Sequence, residues 1–111
     1  MILNYIKEFI AISDHLKKTG KGRLHKGFLI VKREDLEPLL DKNLYDTASN
    51  KLKVWKSLQW IQTEDQKRIT KKVWNPENKK YERCIFIVLG VAEALKTIET
   101  TYEIGGNKSD I

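Results

Sequence analysis

The chain has 111 residues, of which 41% are hydrophobic and 32% are charged, a balance that excludes an intrinsically disordered protein. No uninterrupted apolar run approaches the roughly 20 residues of a membrane span, so we expect no membrane partner. The formal net charge of +6 favours an anionic partner, most often nucleic acid.

The expected compartment is the cytoplasm. The N-terminus reaches charged residues at Lys7 and Glu8 and lacks the features of a secretory signal. The single cysteine, Cys84, cannot form an internal disulfide, which fits a reducing compartment. A chain of this length can close one hydrophobic core, so we expect one domain over residues 1–100 and a flexible tail over residues 101–111.

The first part of the chain predicts two helices around a short strand. Residues 2–16 place apolar side chains at spacings of three and four, which is typical of an amphipathic helix. Residues 20–27 are basic and punctuated by glycine, so they predict a loop. Residues 28–31 form a short apolar run that predicts a buried strand. Residues 33–41 predict a second helix, in which Pro38 is tolerated only in the first turn.

The rest of the chain predicts a third helix, a hairpin and a final helix. Residues 46–58 begin with good N-cap residues and then carry an apolar stripe at helical spacing. Residues 68–88 alternate with a period of two on both sides of a turn at residues 75–78, which predicts a long β-hairpin. After Gly90, residues 91–100 return to a helical pattern.

This order of elements resembles the winged helix-turn-helix fold, an α+β architecture of DNA-binding proteins. The resemblance implies that residues 28–31 are the small strand before the motif, residues 33–41 its first helix and residues 46–58 its recognition helix. Residues 68–88 would then be the wing. The helix after the wing is an addition to the minimal domain and resembles a dimerisation element, with a possible interface at Val91, Leu95 and Ile98.

The small size and the lack of an effector domain look more like a plasmid- or phage-borne protein than a ligand-sensing repressor. The pattern is also similar to the winged-helix accessory proteins of clostridial conjugative plasmids, the TcpK type, which mark the transfer origin. The resemblance therefore implies a dimeric, sequence-specific double-stranded DNA-binding protein. Transcription regulation, plasmid replication and conjugative transfer all remain open as its process.

The polar side of the expected recognition helix carries no acidic residue. If it enters the major groove, Asn50 would hydrogen-bond adenine and Lys53 would reach guanine. The alternative is an ordinary solvated helix face, and the helix has no arginine. The candidate contacts on this helix are Thr47, Ser49, Asn50, Lys53, Lys56 and Ser57.

The hairpin makes the stronger electrostatic case. Residues 66–83 contain seven basic and two acidic residues, a formal charge of +5 out of the total of +6. Such a hairpin can follow phosphates or enter a minor groove, whereas the alternative is that its lysines only protect edge strands from aggregation. The candidate contacts are Lys67, Arg68, Lys71, Lys72, Asn75, Asn78, Lys79, Lys80 and Arg83.

A second basic run extends from Lys17 to Arg33 without an acidic residue. It either holds phosphates beside the motif or is simply solvated. The possible phosphate contacts are Lys21, Arg23, Lys26, Lys32 and Arg33.

The three tryptophans are expected to be structural. Trp55 lies on the apolar side of its helix, and Trp60 should pack where that helix meets the hairpin. Trp74 lies beside the turn, where a cross-strand pair with Tyr81 is favoured over a stacking platform for bases.

Neither catalysis nor metal binding is indicated. Cys84 lies in an apolar strand, where a structural thiol is favoured over a nucleophile. His15 and His25 lie in separate elements without partner ligands. We therefore expect no enzyme, no cofactor, no metal and no small-molecule substrate. The rival to DNA binding is a protein-interaction module that uses the last helix and the central strand.

Overall fold

The computed structural model describes residues 2–98, and over this range the chain has an α+β fold of four helices and one five-stranded antiparallel sheet. The predicted tail and the last two residues of the predicted final helix lie outside the described residues. The elements are α1 (Ile2–Thr19), β1 (Arg23–His25), β2 (Phe28–Lys32), α2 (Arg33–Leu40), α3 (Ala48–Ser57), β3 (Ile61–Gln62), β4 (Lys71–Asn75), β5 (Lys80–Val88) and α4 (residues 89–98).

Strand β5 is the centre of the sheet. On one edge it pairs with β2, so that Leu29 lies opposite Ile87, and β2 in turn pairs with β1. On its other edge β5 pairs first with β4, up to Cys84, and then with β3. This position explains why the second half of β5 is apolar on both faces: backbone partners occupy both edges while side chains pack above and below.

One face of the sheet builds the main core. Leu29, Ile85 and Ile87 are fully buried on it, and the apolar sides of α1, α2 and α3 cover them. Phe9 and Trp55 meet edge to face there, with ring centroids 4.8 Å apart. Each such side chain contributes about 1.5–3 kcal/mol through burial, so this layer supplies most of the driving force for folding.

The opposite face carries a smaller apolar cluster. Ile30, Cys84 and Phe86 are buried in it, with Phe28 packed edge to face against Phe86 at 5.6 Å between centroids. Lys71 covers part of the cluster, because its Nζ lies 5.2 Å from the centre of the Phe86 ring. Aliphatic lysine stems can shield apolar surface in this way.

The prediction of a loop over residues 20–27 is wrong in part, because β1 forms within it. A two-residue turn at Lys26 and Gly27 joins β1 to β2, with φ angles of 49° and 83°. Positive φ at both positions suits the twist of a tight hairpin. All three residues of β1 are exposed, so the sequence has no apolar alternation from which this strand could be predicted.

Helix α2 begins at Arg33, so Pro38 lies in its interior and not in the first turn. The helix is only eight residues long and ends two residues after the proline. Leu36 and Leu40 are fully buried against the core. Tertiary packing of this short helix therefore outweighs the hydrogen bond that the proline removes.

Helix α4 runs antiparallel to α1. Lys96 of α4 pairs with Asp14 of α1 at 3.2 Å. Glu93, which lies earlier in α4, pairs with Lys17, which lies later in α1, at 3.5 Å. The apolar side of α4 faces its own chain: Val91 and Leu95 pack against the main core, while Ile98 is 58% exposed. Two of the three side chains expected at a dimer interface are thus engaged within the chain. None of the described helices is long and apolar enough to cross a membrane.

Candidate nucleic-acid interface

The start of α3 is fixed by its cap. The Thr47 hydroxyl accepts a hydrogen bond from the Asn50 backbone N–H at 3.1 Å, in the geometry expected of an N-cap. Thr47 therefore has a structural role as the cap; it is exposed, and its role as a nucleic-acid contact stays a prediction. The Asn50 side chain donates to Asp46 at 3.2 Å, an exposed bond that a ligand can compete for.

The outward side of α3 matches the sequence prediction. Ser49, Lys53 and Ser57 are exposed. Lys56 is half-buried, because its ammonium group donates to the backbone carbonyl of Gln66. That hydrogen bond fastens the end of α3 to the loop of residues 63–70, which leads into β4.

The hairpin carries an aromatic pair on the same face of the sheet as the helices. Register places Trp74 opposite Tyr81, and Lys72 opposite Arg83, on the side to which Ile85 also points. The rings of Trp74 and Tyr81 are in contact, and the Lys72 ammonium lies 5.8 Å from the centre of the Tyr81 ring. The expected cross-strand pair is confirmed by this geometry.

The hairpin turn depends on Asn75, which is half-buried. Its side-chain oxygen accepts from the Glu77 backbone N–H at 3.0 Å, and its amide group donates to Glu82. Asn75 thereby forms the turn, and its expected contact with a base edge stays a prediction. Asn78 is exposed at the tip, and Lys79 follows it with a φ of 52°.

Arg83 forms hydrogen bonds within the fold, and its expected role as a wing contact stays a prediction. Its guanidinium donates to Glu64 at 3.1 Å, to the Thr70 carbonyl at 3.0 Å and to the Thr70 hydroxyl at 2.9 Å. The Lys72 backbone N–H donates to Glu64 as well, and this bond, followed by the one from Arg83, lowers the pKa of the Glu64 carboxyl. Arg83 and Glu64 therefore tie the 63–70 loop to the hairpin.

The second acidic residue of this loop, Asp65, is held by hydrogen bonds from the loop backbone. Asp65 accepts from the backbone N–H groups of Lys67 and Arg68 at 2.8 and 2.9 Å, and the Lys67 bond is the main reason that the pKa of Asp65 is lowered. Arg68 forms a long, exposed ion pair with Asp65 at 3.9 Å. Such a pair is worth little in water and can open for a phosphate.

Five exposed lysines on α3, the loop and the hairpin form no ion pair with any acid among residues 2–98. Lys71 differs, because it donates to Gln62 at 2.9 Å and points to the opposite face of the sheet. Of the five, Lys80 lies opposite Asn75 and points to the same face as Lys71. We call the remaining four the basic surface: Lys53, Lys67, Lys72 and Lys79.

Part of the second basic run lies on the opposite face of the sheet, next to the hairpin turn. Arg23 and Lys32 project from the opposite face of the sheet, where they line a cavity of about 180 Å³ together with Lys21. Asp35, Glu77 and Glu82 line the same cavity, and Lys32 pairs with Glu82 at 3.6 Å. Arg33 pairs with Glu37, and Lys26 lies in the β1–β2 turn. Lys21, Arg23 and Lys32 therefore lie beside the hairpin turn, on the opposite face of the sheet from Lys72, and three acidic residues share their cavity.

A buried ion pair beneath α3 was missed from the sequence. Lys51 is fully buried, and its ammonium group lies 3.0 Å from a carboxylate oxygen of Glu8 on α1. A signal for it exists: Glu8 lies four residues before the apolar Ile12, and Lys51 four before the apolar Trp55, so opposite charges occupy core positions of two helices.

Within residues 2–98 no group of three or more His, Cys, Asp or Glu side chains is arranged to hold a metal ion. Cys84 is buried as expected, and desolvation is the main reason that the pKa of its thiol is raised. A raised pKa reduces the thiolate fraction and hence the reactivity.

A scan against protein-family models finds no match to this chain, and a search of curated proteins finds none either.

Proposed function

We propose that this chain is a double-stranded DNA-binding protein of winged helix-turn-helix type, with α2 and α3 as the motif and the β4–β5 hairpin as the wing. The sheet order supports the assignment, because the strand before α2 pairs with the second strand of the hairpin. The α2–α3 connection, residues 41–47, is longer than the three- or four-residue turn of a compact motif.

The observation that carries the proposal is the basic surface. Its lysines lie on α3, on the 63–70 loop and on the hairpin. A hydrogen bond from Lys56 joins α3 to the loop, and one from Arg83 joins the hairpin to the loop. Unpaired lysines on a fixed scaffold suit the phosphates of a duplex. The wing supplies most of the phosphate affinity, while Ser49, Asn50 and Lys53 meet base edges.

The biological setting belongs to the same proposal. The protein acts in the cytoplasm as a dimer on two half-sites, in plasmid or phage DNA transactions such as transfer-origin recognition, or in transcription regulation. The rival role as a protein-interaction module has less surface available, because β5 is paired on both edges and Val91 and Leu95 pack against their own core.

The test is retention of a random duplex pool by two variants that lose the same charge. One changes Lys67, Lys72 and Lys79 to Gln. The matched control changes Lys7, Lys18 and Lys42 to Gln, three exposed lysines elsewhere that form no ion pair with a described acid. We expect the first variant to lose retention and the control to keep it. Equal losses would mean that net charge alone binds the duplex.

A further inference from the structure

We propose that the buried Glu8–Lys51 pair is a positioning device for α3, which sets how well the protein distinguishes one DNA sequence from another. This inference rests on the proposed function. Glu8 and Lys51 do not touch DNA in this proposal. They act through the segment that connects α2 to α3.

The ammonium group of Lys51 joins three elements. It donates to Glu8 on α1 at 3.0 Å, to the carbonyl of Leu40 at the end of α2 at 2.5 Å, and to the carbonyl of Asn43 at 2.6 Å. An ammonium has three hydrogens, so these three acceptors use all of them. The distances from α3 to α1 and to α2 are thus fixed by one atom.

Glu8 holds the connecting segment from the other side. Its carboxylate accepts from the Tyr45 hydroxyl at 2.6 Å and from the Asn43 side-chain amide at 3.0 Å. Two residues of the connection are therefore bound to the same buried carboxylate that binds Lys51. Next to them, Tyr5 of α1 donates to Asp46 at 2.6 Å, directly before the cap of α3.

Stability alone does not account for such a pair. Removing two charges from water is costly, and well-packed apolar residues of similar volume often stabilise a fold as much or more. What an apolar pair cannot do is fix the connection, since it offers no directional bonds to the carbonyls of Leu40 and Asn43. An ionic cluster at this position is therefore best explained by a need for accurate placement of α3.

DNA recognition has such a need. The lysines of the hairpin reach phosphates on long, flexible side chains, so they tolerate a small displacement of the scaffold. Base-edge hydrogen bonds from Ser49 or Asn50 do not, because short side chains require correct geometry. Loosening α3 should consequently reduce sequence discrimination while leaving the phosphate contribution unchanged.

The test uses the double variant Glu8→Leu/Lys51→Met and the duplex that the wild-type protein enriches from a random pool, with a scrambled duplex for comparison. We expect a folded protein whose ratio of specific to scrambled affinity falls about tenfold or more, the discrimination of one good base contact. The salt dependence of binding should stay the same. Amide exchange in residues 41–47 should become faster, which can be measured without DNA.

Two further variants keep the outcome decisive. Tyr45→Phe removes one bond to Glu8 without burying a charge, and it should lower the ratio in the same direction, by less. Asp14→Asn/Lys96→Gln breaks an exposed ion pair between α1 and α4 and should leave the ratio unchanged.

An unaltered ratio in the double variant and in Tyr45→Phe would overturn the positioning role. So would loss of folding in the double variant together with an unaltered ratio in Tyr45→Phe, because the pair would then serve stability alone. Failure of the wild-type protein to retain any duplex is a different result, which contradicts the proposed function itself.

Discussion

The rings of Trp74 and Tyr81 meet edge to face across β4 and β5, with centroids 5.1 Å apart and an angle of 67° between their planes. Trp74 is 47% exposed, whereas Trp55 and Trp60 are buried. Acrylamide should therefore quench one of three tryptophans in the folded protein, and Trp74→Phe should remove that quenchable emission. If the hairpin meets DNA, addition of the selected duplex should protect Trp74 from acrylamide.

The same pair has a measurable effect on stability. Trp74→Ala should lower the free energy of unfolding by about 0.5–1.5 kcal/mol, the usual contribution of an aromatic pair. Trp55→Ala, in the core, should cost about 3–5 kcal/mol. Urea unfolding measures both. Equal costs would mean that the hairpin pair is packed much more tightly than its exposure indicates.

Individual lysines of the basic surface should act on the salt dependence of binding. Neutralising about five phosphates gives a slope of log affinity against log salt near −4.5. Lys72→Gln should reduce that slope by about 0.9 and weaken specific and scrambled duplexes alike. Lys79→Asn should do the same, since asparagine tolerates the left-handed backbone at this position. A change of slope with Lys71→Gln as large as that with Lys72→Gln would contradict the assignment of faces.

The Tyr5–Asp46 hydrogen bond should make stability depend on pH at the acidic end. The bond from the Tyr5 hydroxyl is the main reason that the pKa of the Asp46 carboxyl lies below its usual value of 3.8. Because the pKa is lower in the folded state, the stabilisation is complete above the unfolded pKa and is lost as the pH falls through the folded one.

Tyr5→Phe removes this contribution. Urea unfolding at pH 7 and at several points below pH 4 should show a variant less stable than wild type at neutral pH, with the difference shrinking in acid. A constant difference would mean that the hydroxyl stabilises the fold independently of the charge on Asp46.

Two glycines should respond to alanine with opposite signs. A Cβ on Gly22 would lie 2.6 Å from Cδ1 of the buried Leu29, so Gly22→Ala should destabilise by about 1–3 kcal/mol through overpacking. A Cβ on Gly90 would meet no atom within 4 Å, and the residue lies in the first turn of α4. Gly90→Ala should stabilise by up to about 1 kcal/mol. Thermal unfolding of the two variants, scanned side by side, decides the signs.

Much of this fold can be predicted from the sequence, because hydrophobic periodicity and helix capping depend on residues that are close together in the chain. The stripes of α1 and α3, the N-cap at Thr47, the apolar run of β2 and the alternation of the hairpin all predict their elements. Strand β1 escaped prediction because it has three exposed residues and gains its structure only by pairing with β2.

The candidate site was harder to predict, because the sequence does not show whether a lysine or arginine is solvated or is hydrogen-bonded within the fold. Arg83 bonds to Glu64, 19 residues earlier, and Lys51 bonds to Glu8, 43 residues earlier. The Arg83–Glu64 partnership leaves no local pattern, whereas the Lys51–Glu8 partnership leaves only opposite charges at core positions of two helices. The stripe of Val91 and Leu95 is similarly ambiguous, since the same spacing serves a dimer interface or the chain's own core.

Strand β5 also bears on how the protein is made. Leu29 pairs with Ile87, 58 residues later, so the first helices and β2 leave the ribosome well before their central strand is synthesised. Until β5 emerges, β2 has an open edge and an uncovered apolar face, which is the kind of segment that associates wrongly.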